Sequence, residues 1–169
     1  AVTPSMRSLQ LCAPCHNQHK VHEEWKETRF AEDGAGFKDC NDCHMPQVER
    51  QNAAGGLRAG RSHRFPAAHD RDVLRSAATV SQSLSERTLF VTVHNSGVGH
   101  NLPSDERHRA VDLHLVLHTG DGRPYDVRIE RWRNPYRDEF EAVNPLPNPG
   151  DEYKKTVTVP ELLSDIGVR

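Results

Sequence analysis

The chain has 169 residues, enough for one ordinary domain or two small ones, and a formal net charge of −2 at pH 7. That charge gives no reason to expect nucleic acid or an anionic membrane as a partner, and no apolar run approaches the roughly 20 residues that span a bilayer. Only 35% of the residues are hydrophobic, fewer than in most globular domains, so the side chains supply little core. A covalently held apolar cofactor would supply core that the amino acids do not.

Up to about residue 75, the chain carries all four cysteines and little regular periodicity. The stretch 21–30 (VHEEWKETRF) predicts a short helix, and 71–78 (RDVLRSAA) predicts another. Between them, the stretch 51–64 is rich in glycine and arginine and predicts a loop. This part of the protein is therefore expected to be irregular, mostly loop and short helix.

Beyond residue 80, apolar and polar residues alternate in four runs. These runs are 87–94, 110–118, 125–132 and 153–159. Runs of period two that are separated by turn residues predict antiparallel strands with one buried face. Four strands of this kind predict a small β-sandwich of immunoglobulin-like character.

The change of pattern predicts two domains, an irregular one over 1–80 and an all-β, immunoglobulin-like sandwich over 81–169. The stretch 134–150 contains four prolines and predicts a surface loop or arm. The last residues, 166–169, look like the start of another strand. Either the sandwich is one strand short, or another chain completes it.

The cysteines form two C-x-x-C pairs, CAPCH at 12–16 and CNDCHMP at 40–46, and a histidine follows each second cysteine. Disulfides do not require these histidines, and a zinc site made of four cysteines would leave both idle. A thioredoxin-like redox pair needs a βαβ context, which is missing here. The c-type haem attachment sequence C-x-x-C-H uses every one of these residues, because the thiols bond to the haem and the histidine ligates its iron.

The two motifs therefore predict two covalently bound haem c groups. The attachment residues and proximal iron ligands are Cys12, Cys15 and His16 for the first haem and Cys40, Cys43 and His44 for the second. The ligand on the other side of each iron decides function, since a second side chain gives an electron-transfer iron and an empty side allows ligand binding or catalysis. Met45 adjoins His44 and cannot reach the opposite side of the same iron, and Met6 lies near the chain end, so bis-histidine ligation is favoured.

Nine further histidines could provide the distal ligands. Four are expected to face solvent, because they are out of phase with the apolar residues of a strand or lie in a charged run: His94, His108, His114 and His118. Five remain candidates. They are His19 and His22 after the first motif, His63 and His69 on either side of Phe65-Pro66, and His100 in a glycine-flanked turn where backbone can approach a flat cofactor.

Several stretches together resemble the multihaem c-type cytochromes, and they cover most of the chain. CAPCH, the helix containing EEW, and GFKDCNDCHMP resemble a recurring tandem of that family, and SHRFPAAHD resembles the H-x-F-P segment that follows it. HNSGVGHNLPSDERHR resembles an asparagine-then-GHxxPTG turn in the β-sandwich that ends some members. Two positions depart from the pattern: Ser104-Asp105 replace the usual Thr-Gly, and Arg29-Phe30 stand where a histidine often follows the tryptophan.

The resemblance implies an exported, periplasmic or extracellular protein that transfers electrons between closely spaced haems. It implies His63 and His100 as the distal iron ligands, with His69, His22 and His19 in reserve. Redox proteins or extracellular electron acceptors are the implied partners. The start at Ala1 without a methionine is expected of a processed, exported chain and equally of a trimmed one.

Two haems provide only a short path for electrons. Some extracellular cytochromes lengthen this path by polymerising into filaments with a continuous haem chain. The predicted arm and the incomplete last strand would suit contacts between subunits, for instance by strand addition in a homo-oligomer or filament. The alternative function is a small haem enzyme, a reductase or peroxidase, with one open iron. No residue pattern names a substrate or a proton relay for such an enzyme.

Overall fold

The structure, a computed structural model, describes most of the chain in six stretches: 11–17, 20–104, 109–118, 120, 122–133 and 149–165. Most of the predicted arm and all of the predicted last strand lie outside these residues, as do Met6, His19 and His108. Within them, short helices and a hairpin precede two antiparallel sheets. The predicted order, an irregular short-helix region followed by a β-sandwich, is confirmed, and the boundary near residue 80 stays a prediction.

The region before the sheets is built from short elements. In chain order they are α1 (Ala13–His16), α2 (Val21–Lys26), α3 (Cys40–His44), β1 (Gln47–Gln51), β2 (Leu57–Arg61), a 3-10 turn (Ala67–His69) and α4 (Arg71–Ala77). Both predicted helices are present, although α2 ends four residues before its sequence pattern does. The hydroxyl of Thr28 donates to the Trp25 carbonyl at 2.8 Å, so a side chain takes an acceptor that a longer helix would use.

The prediction of a loop over 51–64 is wrong in part, because β2 lies within this stretch and pairs antiparallel with β1. The turn between these strands is stabilised by Asn52, whose side-chain oxygen accepts from the amides of Ala54 at 2.9 Å and Gly56 at 3.1 Å. Gly55 takes the left-handed φ of +80° that this turn requires. The glycines that indicated a loop therefore serve the turn of a hairpin.

Two antiparallel sheets follow the helical region. One has the order β3-β4-β7 (Thr79–Ser85, Thr88–His94 and Glu152–Thr158), and the other pairs β5 (Ala110–His118) with β6 (Pro124–Arg133). A last helix, α5 (Val159–Asp165), follows β7 directly. Strand β3 is missing from the predicted set, because its sequence TVSQSLS has only two large apolar residues and all seven of its residues are exposed.

The core lies between the two sheets and contains five buried side chains: Leu89, Val91, Val93, Trp132 and Val157. The three residues from β4 are in the phase that the alternation predicted. The two faces of strand β6 change places along its length. Up to Ile129, the odd-numbered residues are less exposed than the even-numbered ones. Beyond Ile129, the even-numbered Glu130 and Trp132 are the buried residues. A bulge opposite Leu113 and His114 inserts one residue and exchanges the faces of the strand. This bulge brings Trp132 into the core.

The buried carboxylate of Glu130 makes the sandwich sensitive to acid. Burial opposes its charge, but hydrogen bonds from the Tyr153 hydroxyl and from Lys155 Nζ (2.9 Å) outweigh burial and hold its pKa below the ordinary 4.5. A carboxyl whose pKa is lower in the folded state stabilises the fold above its unfolded-state pKa, and this stability is lost as the pH falls through the folded-state value. We therefore expect the urea midpoint to drop below about pH 4.5 in the wild type and to depend less on pH in Glu130→Gln. An equally steep drop in the variant would contradict this role.

Candidate functional site

Each C-x-x-C-H motif folds as a short helix. In α1, the amides of Cys15 and His16 donate to the carbonyl of Cys12 at 3.2 and 2.9 Å, while α3 begins at Cys40 and ends at His44. Residues three apart lie on the same side of a helical turn, so each motif presents two thiols together, with the imidazole beside the second. All four cysteines are free thiols.

Hydrogen bonds from side chains hold α3 at both ends. The Asp39 carboxylate accepts from the amides of Asn41 (2.8 Å) and Asp42 (3.1 Å), and the Asp42 carboxylate accepts from the Asp39 amide (3.1 Å). At the other end, Arg61 donates to the carbonyls of Asn41 (2.9 Å) and Met45 (3.2 Å) and to the Asp42 carboxylate (2.6 Å). The β1–β2 hairpin, which carries Arg61, therefore supports the second motif.

Burial disfavours the ionisation of the Cys12, Cys40 and Cys43 thiols. Burial, with the neighbouring Cys12 adding to it, raises the pKa of Cys40 to about 11, and burial also raises the pKa of Cys12 and of Cys43. Thiol–disulfide redox enzymes do the reverse, because they need a thiolate and lower the pKa of their cysteine. The two motifs are therefore poorly suited to thiol redox chemistry.

Four aromatic rings, called here the ring series, connect the two motifs in the order His16, Phe65, His44 and His100. The ring centroids of His16 and Phe65 are 6.1 Å apart, those of Phe65 and His44 5.8 Å, and those of His44 and His100 6.1 Å. Successive ring planes differ by 13°, 16° and 12°. Both motif histidines and one predicted distal ligand therefore lie together.

Phe65 is the member of the ring series that was not predicted as a site residue. Its φ of +46° is in the left-handed region, which bulky residues rarely adopt. Backbone strain of this kind is maintained where the surrounding structure requires one orientation, and it is common at functional sites. The signal available in the sequence was the place of Phe65 in the H-x-F-P segment. Its ring lies between the two motif histidines.

The surroundings of His44 and His100 favour ligation in different ways, the first through its pKa and the second through a hydrogen bond to its ring. Burial, followed by the proximity of His100 and His16, holds the pKa of His44 below its ordinary 6.5. The Nδ1 of His100 must be the donor to the Asn101 carbonyl at 2.9 Å, because a carbonyl only accepts, and this leaves the Nε2 lone pair for a metal. Asn95, which is 1% exposed, donates to the His100 carbonyl at 2.9 Å. His100 is therefore held in a tautomer that can ligate.

The ring separation of His44 and His100 matches that of two imidazoles bound to one metal ion. Two imidazoles on opposite sides of one ion, each with a metal–nitrogen bond of about 2 Å, have ring centroids roughly 6 Å apart. The observed separation is 6.1 Å, and the planes are within 12° of parallel. The residues present are therefore compatible with a bis-histidine iron at the second motif.

The other candidate histidines lie elsewhere. His63 is exposed, and its Nδ1 accepts from Arg50 at 3.4 Å, so its neutral ring carries the proton on Nε2. His69 is exposed in the 3-10 turn, and His22 is half-buried with its ring parallel to that of Trp25 at 6.0 Å. Among the residues that the structure describes, no second distal candidate joins the ring series.

The turn that carries His100 packs against the end of α4 through Gly97. A Cβ at this position would lie 1.7 Å from the Ser76 carbonyl oxygen, and the Gly97 amide donates to the Ala77 carbonyl at 3.0 Å. Gly97→Ala is therefore expected to displace the turn and to lower the free energy of unfolding by about 1–3 kcal/mol in urea titrations. Gly36→Ala is the matched control, since its added Cβ meets nothing within 4 Å. Equal stability of the two variants would contradict the proposed contact.

Comparison with known proteins agrees with the chemistry of the motifs. Residues 3–63 match the family model described as the NapC/NirT cytochrome c family, N-terminal region. The matched stretch is roughly a third of the chain, contains both C-x-x-C-H motifs and ends at His63. It supports a relationship to the multihaem c-type cytochromes, and with it covalently bound haem c and electron transfer. No curated protein and no solved structure matches the chain.

Two kinds of arrangement are missing from the residues that the structure describes. No helix in this part of the chain combines the length and the apolar character needed to cross a bilayer. No three of the described His, Cys, Asp and Glu side chains are grouped so as to hold a metal ion by themselves. A haem iron takes at most two ligands from the protein, so a facing pair such as His44 and His100 is the relevant arrangement.

Proposed function

We propose that the protein transfers electrons through two covalently attached c-type haems. Cys12 and Cys15 attach the first haem, and Cys40 and Cys43 attach the second. The observation that carries the proposal is the ring series, in which the histidines of both motifs lie together with His100. When bound, each haem supplies an iron that gains and loses one electron.

The proposed proximal ligands are His16 and His44, and His100 is the proposed distal ligand at the second haem. For the first haem we propose His63 as the distal ligand, with His22, His69 and His19 in reserve. Ligation by His63 requires its proton to move from Nε2 to Nδ1. The Arg50 contact at 3.4 Å opposes this move only weakly, because it is long for a hydrogen bond.

The chain's own residues give this site its electron-transfer character. Two histidines on one iron exclude other ligands and set a lower potential than a histidine–methionine pair. Phe65 keeps the two motif histidines one ring apart, which favours a short path between the haems. In this proposal the region 1–80 binds both haems, and the sandwich over 81–169 closes the second site with His100.

The exposed position of His63 favours one alternative function. If no side chain reaches the far side of the first iron, that iron is open, and the protein is a small haem reductase or peroxidase. The two functions differ in a property that is simple to measure. An open iron is high-spin and binds carbon monoxide rapidly, whereas a bis-histidine iron is low-spin.

We further propose that the protein is exported and that its chains associate, in a filament that passes electrons to redox proteins or extracellular acceptors. Within the described sheets, β3 is an edge strand without charged residues. Val80 and Leu84 pair with core residues of β4, yet they are 61% and 65% exposed. Another chain can extend such an edge. Sedimentation over a range of concentrations tests this, and a monomer throughout would contradict it.

Intact mass and absorption spectra test the main proposal. The purified protein should have the mass of the chain plus two haems and, when reduced, a sharp low-spin α band. Carbon monoxide should bind slowly or not at all. A mass without haem would end the proposal. A high-spin signal with rapid binding of carbon monoxide would favour the alternative function, a haem enzyme with an open iron, over electron transfer.

A further inference from the structure

Glu24 in α2 is hydrogen-bonded to the turn that carries His100. Its Oε2 accepts from the Asn101 amide at 3.0 Å and from the Ser104 hydroxyl at 2.9 Å, and its Oε1 accepts from Asn101 Nδ2 at 3.1 Å. Three donors therefore converge on one partly buried carboxylate. Hydrogen bonds to a charged acceptor are about twice as strong as those between neutral groups. The contact is thus a firm attachment between two distant parts of the chain.

Two further contacts join the same turn to the segment around α2. A Cβ on Gly99 would lie 3.1 Å from Trp25 Cδ1 and 3.2 Å from Phe30 Cδ2, so the backbone of the turn lies directly on these rings. Arg29 donates to the Ser96 carbonyl at 3.1 Å. The stretch 96–104 therefore docks on the segment that follows the first motif, and Glu24 supplies the carboxylate of this interface.

Asn101 connects Glu24 with His100. Its amide and its side chain bind Glu24, while its carbonyl accepts from Nδ1 of His100 at 2.9 Å. The ring of His100 in turn faces that of His44. A shift of Asn101 would move the His100 ring and weaken the hydrogen bond that determines its tautomer.

We propose that Glu24 is a positioning residue that holds His100 in place at the iron of the second motif. The inference rests on the proposed function, in which His100 ligates that iron. Glu24 acts through Asn101 and not by ligation. Helix α2 directly follows the first motif. Glu24, which supports the distal ligand of the second haem, therefore lies next to the attachment site of the first haem.

Removal of the carboxylate should release the ligand. Glu24→Ala leaves three donors without their acceptor, and we expect it to raise the fraction of molecules with His100 off the iron by about 10- to 100-fold. Asn95 still holds the His100 carbonyl in this variant, so the turn keeps one of its attachments. The change should therefore appear at the iron before it appears as unfolding.

The amide analogue should largely restore ligation. Glu24→Gln keeps one oxygen for the Asn101 amide and Ser104, but it places an NH2 group opposite Asn101 Nδ2. The Oδ1 atom of Asn101 is buried and has no hydrogen-bond partner among the residues that the structure describes. A half-turn of the Asn101 side chain presents this oxygen to the new NH2 group. We therefore expect Glu24→Gln to behave nearly as the wild type.

The test compares five haem-loaded full-length chains: wild type, Glu24→Ala, Glu24→Gln, Glu27→Ala and His100→Ala. Glu27 is the matched control, because it is a second carboxylate of the same segment and lines the same surface pocket as Glu24. The measurements are haems per chain by intact mass, the high-spin fraction, the association rate of carbon monoxide and the midpoint potential of each haem.

The inference predicts two haems in every chain. It also predicts a high-spin fraction and faster carbon monoxide binding in Glu24→Ala and His100→Ala only. A Glu24→Ala protein with the wild-type spectrum, beside a changed His100→Ala, would overturn the inference and leave the proposed ligand intact. An unchanged His100→Ala would overturn both, because His100 would then not be a ligand.

Ser104→Ala keeps the test decisive if Glu24→Ala fails to fold. This variant removes one of the three donors to Glu24 and leaves both contacts from Asn101. We expect it to raise the rate of carbon monoxide binding roughly threefold. A rate equal to that of the wild type would overturn the positioning role of Glu24.

Discussion

A chain in which alanine replaces both cysteines of one motif should carry one haem instead of two. Cys12→Ala with Cys15→Ala should remove the first haem, and Cys40→Ala with Cys43→Ala the second, because the chain has no other thiols for covalent attachment. Intact mass under denaturing conditions counts the haems that stay bound. The α-band absorbance of the reduced protein, per chain, should fall to about half.

Met45→Ala is the control for these two variants, since it changes a sulfur side chain beside the second motif without removing a thiol. The contact from Arg61 goes to the Met45 carbonyl, so this substitution keeps it. The control should carry two haems. Two haems in either double-cysteine variant would contradict the assigned attachment, and bound zinc in place of haem would restore the zinc interpretation.

The variant without the first haem also isolates the second, whose proposed ligands are His44 and His100. The contacts of Asp39 and Arg61 that support α3 involve no residue of the first motif. We therefore expect the remaining haem to be low-spin. A high-spin spectrum in this variant would show that the second haem lacks a distal ligand when it is alone.

Trp132→Ala should lower the free energy of unfolding of the sandwich by about 3–5 kcal/mol, because it combines the loss of a large buried side chain with a cavity. Trp132 is 1% exposed. Its ring meets that of Tyr153 edge-on, with centroids 5.0 Å apart and planes at 86°, and it packs in one cluster with Leu89 and Val91. Guanidinium unfolding followed by far-ultraviolet circular dichroism measures the loss.

Trp132→Phe is the matched variant for this prediction. It keeps an aromatic ring in the core and removes the indole N–H, which has no hydrogen-bond partner within the part of the chain that the structure describes. Its cost should therefore be well below that of alanine. Equal losses in the two variants would mean that the cavity is not the cause of the destabilisation.

Patterns within a few residues of sequence predicted the features that depend only on neighbouring residues in the chain. Each C-x-x-C-H motif lies within one helical turn, so its spacing alone brings two thiols and an imidazole together. The alternation of Leu89, Val91 and Val93 likewise predicted the buried face of β4, because successive side chains of a strand point to opposite sides. In β6, the alternation of apolar residues did not predict the whole buried face, because a bulge exchanges the two faces of the strand and buries Glu130 and Trp132.

Motif spacing and residue alternation were enough to predict the attachment chemistry and a mixed architecture of short helices and β-sandwich. It left five distal histidines open, because the approach of His100 to His44 depends on how a turn between strands docks on a segment far away in the chain. That approach became visible in the fold, where Glu24 binds Asn101 and the ring of Phe65 lies against that of His44. These contacts join residues that no periodicity relates, and their geometry is set by packing between the two parts of the fold.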